Sequence, residues 1–196
     1  MGSNRATPSA IDAYLIDPAS GERALVSDNH GLQTVEDVSR DGTRALVSRL
    51  RGRGDNDLFV VDLRSHTEVL VTPHDPPGSF GGVFAPDGRS IYLSSDKDRD
   101  KPAFARISLD NGDRIRPPQI LAARDDAELG GFEIDDGGMT AALLWNVAGR
   151  SELAFVDLAS GKQTPGPKLP GEIAGGLTFS KDGERLAMAI SGARAA

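Results

Sequence analysis

Alternating carboxylates are the first feature of this chain that suggests chemistry. Asp96-Lys97-Asp98-Arg99-Asp100 places acidic residues at every second position, the spacing with which a calcium loop begins. The glycine that should follow and the distal glutamate are absent, Ile107 occupies the twelfth position, and Lys97, Arg99 and Lys101 offset the charge. The segment therefore reads as a solvated hairpin loop, with a weak calcium site as the alternative. Arg49, Arg51 and Arg53 form a small basic cluster in a chain of opposite overall sign. Such a cluster can steer a peptide carboxylate or dock a partner. The plainer reading is an exposed loop that balances Asp55 and Asp57 through weak surface pairs. Together Arg49, Arg51, Arg53, Asp96, Asp98 and Asp100 are the candidate contact residues.

Nucleophilic catalysis has less to draw on. A hydrolase serine sits in G-x-S-x-G on a strand-to-helix turn. The nearest segments, Gly149-Arg150-Ser151-Glu152-Leu153 and Gly88-Arg89-Ser90-Ile91-Tyr92, lack the second glycine and fall in predicted hairpins. His30, His66 and His74 each lie at a turn or strand end without a second ligand at metal spacing, and read as solvent-exposed loop histidines. Gly161-Lys162 lacks the spaced glycine and the hydroxyl residue of a phosphate-binding loop. The absence of cysteine removes disulfides, thiolate metal sites and a cysteine nucleophile together. No catalytic, cofactor-binding or metal residue is assigned, and no cofactor is expected.

The elements that would carry these residues are short strands. The 196 residues include 23 glycines and 12 prolines with short apolar runs between them, which points to strands joined by turns. The formal charge of −7, from 29 acidic against 22 basic residues, argues against nucleic acid as a partner. Residues 1–10 lack the apolar core of a signal peptide, and no apolar run approaches the roughly 20 residues of a membrane span, so no membrane association is expected. The compartment stays open, with the cytoplasm favoured over the periplasm. Residues 1–10 read as a tag or disordered N-terminus, 11–191 as the folded repeat and 192–196 as a disordered tail.

The repeat is explicit. Val38-Ser39-Arg40-Asp41-Gly42, Phe84-Ala85-Pro86-Asp87-Gly88, Ile134-Asp135-Asp136-Gly137-Gly138 and Phe179-Ser180-Lys181-Asp182-Gly183 end in glycines spaced 46, 50 and 45 residues apart. Asp-Gly suits a tight turn, because glycine tolerates positive φ and aspartate bonds its own backbone. Apolar residues two apart follow each turn: Ala45 and Val47, Ile91 and Leu93, Ala141 and Leu143, Leu186 and Met188. Between copies lies a second strand, ending at residues 17, 62, 108 and 157, with its own turn at Ser20-Gly21, Ser65-His66, Asn111-Gly112 or Ser160-Gly161. Four strands per unit of about 45 to 50 residues is the signature of propeller blades. The expectation is an all-β fold, a partial or small β-propeller of four-stranded antiparallel blades, with three whole blades and two half-blades. Val38, Phe84, Ile134 and Phe179 are expected to form inter-blade core. The small residues Gly81, Gly131 and Gly176, with Val35 at the matching position, are expected where inner strands crowd. The half-blades either close a four-bladed ring or, the favoured reading, bound an arc of a larger propeller. An open arc exposes faces and edges and so predicts self-association.

These turns, with Val61-Asp62-Leu63, Phe155-Val156-Asp157-Leu158-Ala159-Ser160-Gly161, Pro77-Gly78-Ser79-Phe80-Gly81 and the stretch from Leu144 to Leu153, resemble the N-terminal propeller of prolyl-oligopeptidase-type serine peptidases, the dipeptidyl and acylaminoacyl peptidases included. The periplasmic propeller of the Tol system uses similar turns. The peptidase resemblance implies a propeller that covers an active site and restricts access to short peptides. The chemistry would come from an α/β-hydrolase domain carrying Ser, Asp and His, which these 196 residues do not include. The expected role is therefore a non-catalytic substrate-gating portion of a serine peptidase, with a Tol-type protein-binding scaffold as the alternative and a sensor or lectin-like propeller third. The loops 49–56, 96–101 and 146–150 and the connectors 73–79, 124–128 and 165–172 are expected to share one face, the candidate contact surface.

Overall fold

The computed structural model describes residues 2–4, 9–28, 31–109 and 115–192. These residues form strands and turns without a helix, and the chain divides into two compact units, 1–93 with 107–118 and 94–106 with 119–196. The first unit holds a three-stranded sheet, β1 (Gly2–Ser3), β2 (Asp12–Ile16) and β3 (Arg23–Ser27). It also holds a four-stranded sheet of β4 (Leu32–Val38), β5 (Arg44–Gly52), β6 (Asp55–Asp62) and β7 (Glu68–Leu70). The next sheet, β8 (Phe80–Phe84), β9 (Ser90–Ser95), β10 (Ala103–Ser108) and β11 (Gln119–Ala122), contributes strands to both units. The second unit adds the sheet β12 (Glu128–Ile134), β13 (Thr140–Val147), β14 (Arg150–Asp157) and β15 (Gln163–Pro165), then the pair β16 (Ile173–Phe179) and β17 (Leu186–Ser191).

The fold is all-β, with three whole four-stranded blades in chain order and a half-blade on either side in sequence. Gly2–Ser3, which the sequence reading sets outside the repeat, pair with Ala13 and Asp12 and add a third strand to the first sheet.

Turn chemistry explains why the chain reverses where it does. Gly42, Gly88, Gly138 and Gly183 have φ of 69°, 67°, 66° and 72°, a region that costs a side chain dearly and glycine little. Their N–H groups donate to the carbonyls of Ser39, Ala85, Asp135 and Ser180 at 2.8 to 2.9 Å. Asp41 accepts the Ser39 hydroxyl at 2.7 Å and the Thr43 N–H at 3.0 Å, and these bonds pull its pKa down to about 2. In the blade of β12 to β15 the first aspartate of Asp135-Asp136 takes over, accepting from Met139 and Thr140 N–H at 2.7 and 2.9 Å. At the outer turns Gly21 and Gly161 have φ of 73°, and His66 is held at 57° in the equivalent place. The N–H groups of Ala19, Ser65 and Ser160 hold the carboxyls of Asp17, Asp62 and Asp157 below the usual range. The expected turn at Asn111-Gly112 lies outside the described residues.

One expectation needs correction. A Cβ at Gly81, Gly131 or Gly176 would meet nothing within 4 Å, so crowding is not why glycine stands there. The register of the inner hairpins instead shifts at this level, between Val35 and Asp37, Leu129 and Gly131, and Gly175 and Thr178. Gly176, with φ of 64°, supplies the positive-φ residue of the last of these bulges. Close approach falls one residue later in the blade of β8 to β11, where a Cβ on Gly82 would sit 2.9 Å from the Tyr92 carbonyl oxygen.

A recurring backbone seam ties each outer strand to the inner strand of the following sheet. Ile11 N–H donates to Gly31 O at 2.8 Å and Ile11 O accepts Gln33 N–H at 2.9 Å. At Asn56 the N–H donates to Gly78 O at 2.9 Å, while the side-chain oxygen accepts Phe80 N–H at 2.8 Å. Pro102 has no N–H to give, and its carbonyl accepts Leu129 N–H at 3.0 Å. Ser151 N–H donates to Glu172 O at 2.8 Å and its hydroxyl accepts Ala174 N–H at 2.9 Å. Residues 11, 56, 102 and 151 follow the period of the repeat.

Apolar faces complete each unit. In the first, Ala13, Val26, Ala45, Val47 and Val61 are buried, with Leu15, Val35, Phe59 and Leu63 packed against them. In the second, Ala142, Leu144 and Leu153 carry Phe155, Leu177, Phe179, Leu186 and Met188. Of the four ladder residues, Phe84 is 6% exposed, whereas Val38, Ile134 and Phe179 are half-buried. Phe84 also has the Arg44 guanidinium 5.4 Å above its ring, and its N–H donates to Asp37 Oδ2 at 2.8 Å. Phe84→Ala is expected to cost about 3 kcal/mol and Phe179→Ala about half of that, because the cost scales with the apolar surface each ring buries. Urea unfolding of the two variants checks the ranking, and equal losses would contradict it.

Candidate functional site

The loops that join β5 to β6 and β13 to β14 are tight, and that between β9 and β10 is long. Ala148 and Gly149, with φ of 49° and 86°, close the last of the two-residue turns, where positive φ at both central residues matches the twist of the hairpin. Within each unit these loops bond to the connector that follows them. Asp55 accepts Gly78 N–H at 3.2 Å, Lys101 Nζ donates to Asp125 O at 2.6 Å, and Arg150 pairs with Glu172 at 3.1 Å. Loop and following connector thus lie together at each of these three places.

The arginine cluster separates into three environments. Arg49 is drawn inward: its guanidinium lies 4.0 Å from the centroid of the Phe59 ring, pairs with Glu68 at 2.8 Å, and reaches Gln33 Oε1 at 3.1 Å and Ser27 Oγ at 3.2 Å. Gln33 and Ser27 are themselves buried and bonded to each other at 2.8 Å. Burial works to raise the Glu68 carboxyl, and the Ser27 hydroxyl and Arg49 outweigh it, holding Glu68 below its ordinary range. Arg51 is exposed and stands 3.7 Å from both Asp55 and Asp57. Arg53 is exposed beside the turn at Gly54.

His74 corrects the sequence reading most sharply. Its side chain is 1% exposed rather than solvated. Nδ1 lies 2.7 Å from Thr72 O and Nε2 lies 2.9 Å from Asp55 Oδ1, while Phe80 packs edge-on with ring centroids 4.9 Å apart. A Cβ on Gly78 would fall 2.5 Å from the imidazole, so only glycine lets the connector close over it. The sequence signal was present in Pro73-His74-Asp75-Pro76-Pro77-Gly78, a rigid stretch whose glycine has a packing reason. His66 is exposed on its turn, and His30 lies outside the described residues.

Asp96, Asp98 and Asp100 stay in a hairpin loop. Asp98 adopts φ of 56°, Arg99 N–H donates to Asp96 O at 2.9 Å, and Arg99 Nε reaches Lys101 O at 3.3 Å. Asp98, Asp100 and Lys101 line an open hollow of about 310 Å³ with Arg99, Arg124 and Asp125. Arg124 bridges Asp126 at 2.7 Å and Glu152 at 2.6 Å. Among the described residues no group of three acidic or histidine side chains is arranged to hold a metal. Of the two serines in near-nucleophile segments, Ser151 spends its hydroxyl on the seam and Ser90 opens β9.

Arg49→Ala is expected to destabilise the chain by about 2 kcal/mol, since it leaves Glu68 and Gln33 to share the single Ser27 hydroxyl proton in a half-buried place. Arg53→Ala is expected to stay within about 0.5 kcal/mol of the parent. Thermal unfolding of both variants checks the contrast.

No protein-family model matches the sequence. Solved structures do match. TolB from Acinetobacter baumannii aligns with a TM-score of 0.68 at 22% identity, over 94% of this chain and 44% of that one. A prolyl endopeptidase aligns with a TM-score of 0.70 at 17% identity, over 89% of this chain and 26% of its own. Prolyl oligopeptidase B from Galerina marginata gives 0.70 at 14% identity, over 88% and 25%. The chain thus spans less than half the length of each of these proteins. At these identities the likeness is one of fold, and it makes the described sheets blades of a β-propeller of the kind found in TolB and in prolyl oligopeptidases.

Proposed function

We propose that this chain acts by presenting its loops to a peptide or protein, as the non-catalytic, substrate-gating propeller portion of a prolyl-oligopeptidase-type serine peptidase. In that reading an α/β-hydrolase domain, outside these residues, supplies the nucleophile, and short peptides are the substrate class. The observation that carries the reading is how the candidate chemical groups are used. Ser151 holds a neighbouring strand, Asp55 and His74 fix a connector, and Arg49 is committed to Glu68, which leaves Arg51 and Arg53 in the first unit, and Asp98 and Asp100 in the second, exposed. Exposed loops on a rigid sheet scaffold suit recognition. The second reading is a Tol-type scaffold for a folded protein partner, favoured by the 22% identity and 94% coverage of the TolB match.

Two measurements test the proposal. The purified chain is expected to show no turnover of chromogenic aminoacyl or peptidyl substrates, and activity that follows the protein through purification would overturn it. Titration with proline-containing tri- and tetrapeptides is expected to shift backbone resonances at 51–54, 96–101 and 148–150. Shifts confined to the Asp-Gly turns would remove the gating reading. Silence toward short peptides, with binding to a folded protein through the same loops, would favour the scaffold.

A further inference from the structure

The connector after β7 is held by a histidine whose two ring nitrogens each face an oxygen. His74 Nδ1 faces the Thr72 carbonyl at 2.7 Å and Nε2 faces the Asp55 carboxylate at 2.9 Å. A carbonyl oxygen accepts only, and so does an ionised carboxylate, so this geometry suits a ring that carries hydrogen on both nitrogens, the imidazolium. A neutral ring has one N–H and would turn a lone pair toward one of the two oxygens.

The surroundings favour that charge. Asp55 and Asp57 face the ring from β6, Arg51 approaches the same carboxylates from β5, Gly78 closes from the connector, and the Phe80 ring packs from β8. Asp57 Oδ1 is buried without a hydrogen-bond partner, 3.5 Å from His74 Nδ1 and 3.7 Å from Arg51, so it depends on their charge alone. Asp55 in turn accepts the Gly78 N–H at 3.2 Å, which links the ring's proton to the backbone of the connector.

We propose that residues 73–79 form a proton-dependent latch, docked on β6 while His74 is an imidazolium and loosened when it loses a proton. Loosening reshapes the surface next to Arg51 and Arg53, because Asp55 and Asp57 then have only Arg51 to face. Burial by itself would lower the His74 pKa, and the bonds to Thr72 and Asp55 and the charges of Asp57 and Asp55 outweigh it, raising the value above its ordinary one. The sign follows. A raised folded pKa gives a contribution that is complete below about pH 6.5, the unfolded value, and is lost as pH climbs through the folded pKa.

The test is a pH series on the full chain by NMR. The His74 ring is expected to titrate with a midpoint above about 6.5. Gly78 amide protection, corrected for the intrinsic exchange rate, is expected to fall by up to about tenfold per pH unit above that value until the folded pKa is passed. Ala174, in the other unit, serves as the reference and is expected to hold constant. Asp55→Asn is expected to lower the midpoint, and His74→Gln to flatten the Gly78 profile. A midpoint at or below about 6.5, or Gly78 protection independent of pH between about 6 and 9, would overturn the latch even if both variants failed to fold. The outcome does not depend on peptide binding, so the gating proposal and the latch fail separately.

Discussion

A four-stranded antiparallel sheet with two apolar faces has nowhere to stand alone, and in this chain the bonds at Ile11, Asn56, Pro102 and Ser151 are what commit each sheet to the next. Apolar packing is tolerant of sliding, since it is roughly proportional to area and carries no direction. Hydrogen bonds are not. By fixing the residue at the start of an outer strand, or just before it, against the chain that leads into the following sheet, the seam sets the level at which the facing side chains meet. At Asn56 and Ser151 the side chain takes one of the two bonds, at Ile11 the backbone carbonyl does so, and at Pro102 the carbonyl takes the single bond. The position is satisfied in each case by a different residue, so the geometry is more uniform than the sequence at that place.

This constraint also decides what remains for chemistry. Polar groups buried near the seam must be paired, because an unmatched donor or acceptor there costs more than a matched one gains. Asn56, Ser151, Asp55 and His74 all lie at or next to the seam and all are spent on it. The Arg49, Glu68, Ser27 and Gln33 network is a second such commitment, placed between β3, β4, β5 and β7. Groups that read in one dimension as a near-nucleophile segment, a loop histidine or a basic cluster are in three dimensions mostly fasteners.

The repeat, the strands and the positive-φ glycines were legible in the sequence because each is a local matter. Asp-Gly turns and two-residue alternation depend on neighbours a few positions away, and Gly42, Gly88, Gly138 and Gly183 all stand where their residue type requires. His74 was not legible in the same way. Its burial is produced by Phe80 and Gly78 that follow it and by Asp55 from β6, a combination no short window contains. Arg49 escaped for a like reason, since the three arginines are equivalent in sequence and only the placement of Phe59 and Glu68 distinguishes them. The bulge glycines were recognised as special but for the wrong cause: periodicity marks a position without saying whether space or φ is limiting.

What separates one propeller from another is then expected in the parts that the repeat does not dictate. The same blades serve TolB and prolyl oligopeptidases, so the scaffold alone carries no function. Within this chain the turns at Arg53-Gly54 and Ala148-Gly149 span two residues each, whereas residues 96–102 form a longer excursion that bends back through Arg99 and Lys101 and borders a charged hollow. That hollow mixes Asp98, Asp100 and Asp125 with Arg99, Lys101 and Arg124, and a surface of mixed sign discriminates partners by where the charges fall rather than by net attraction. A rigid sheet that carries one long polar loop is a means of holding such a pattern still, and rigidity there lowers the ordering cost that recognition would otherwise carry.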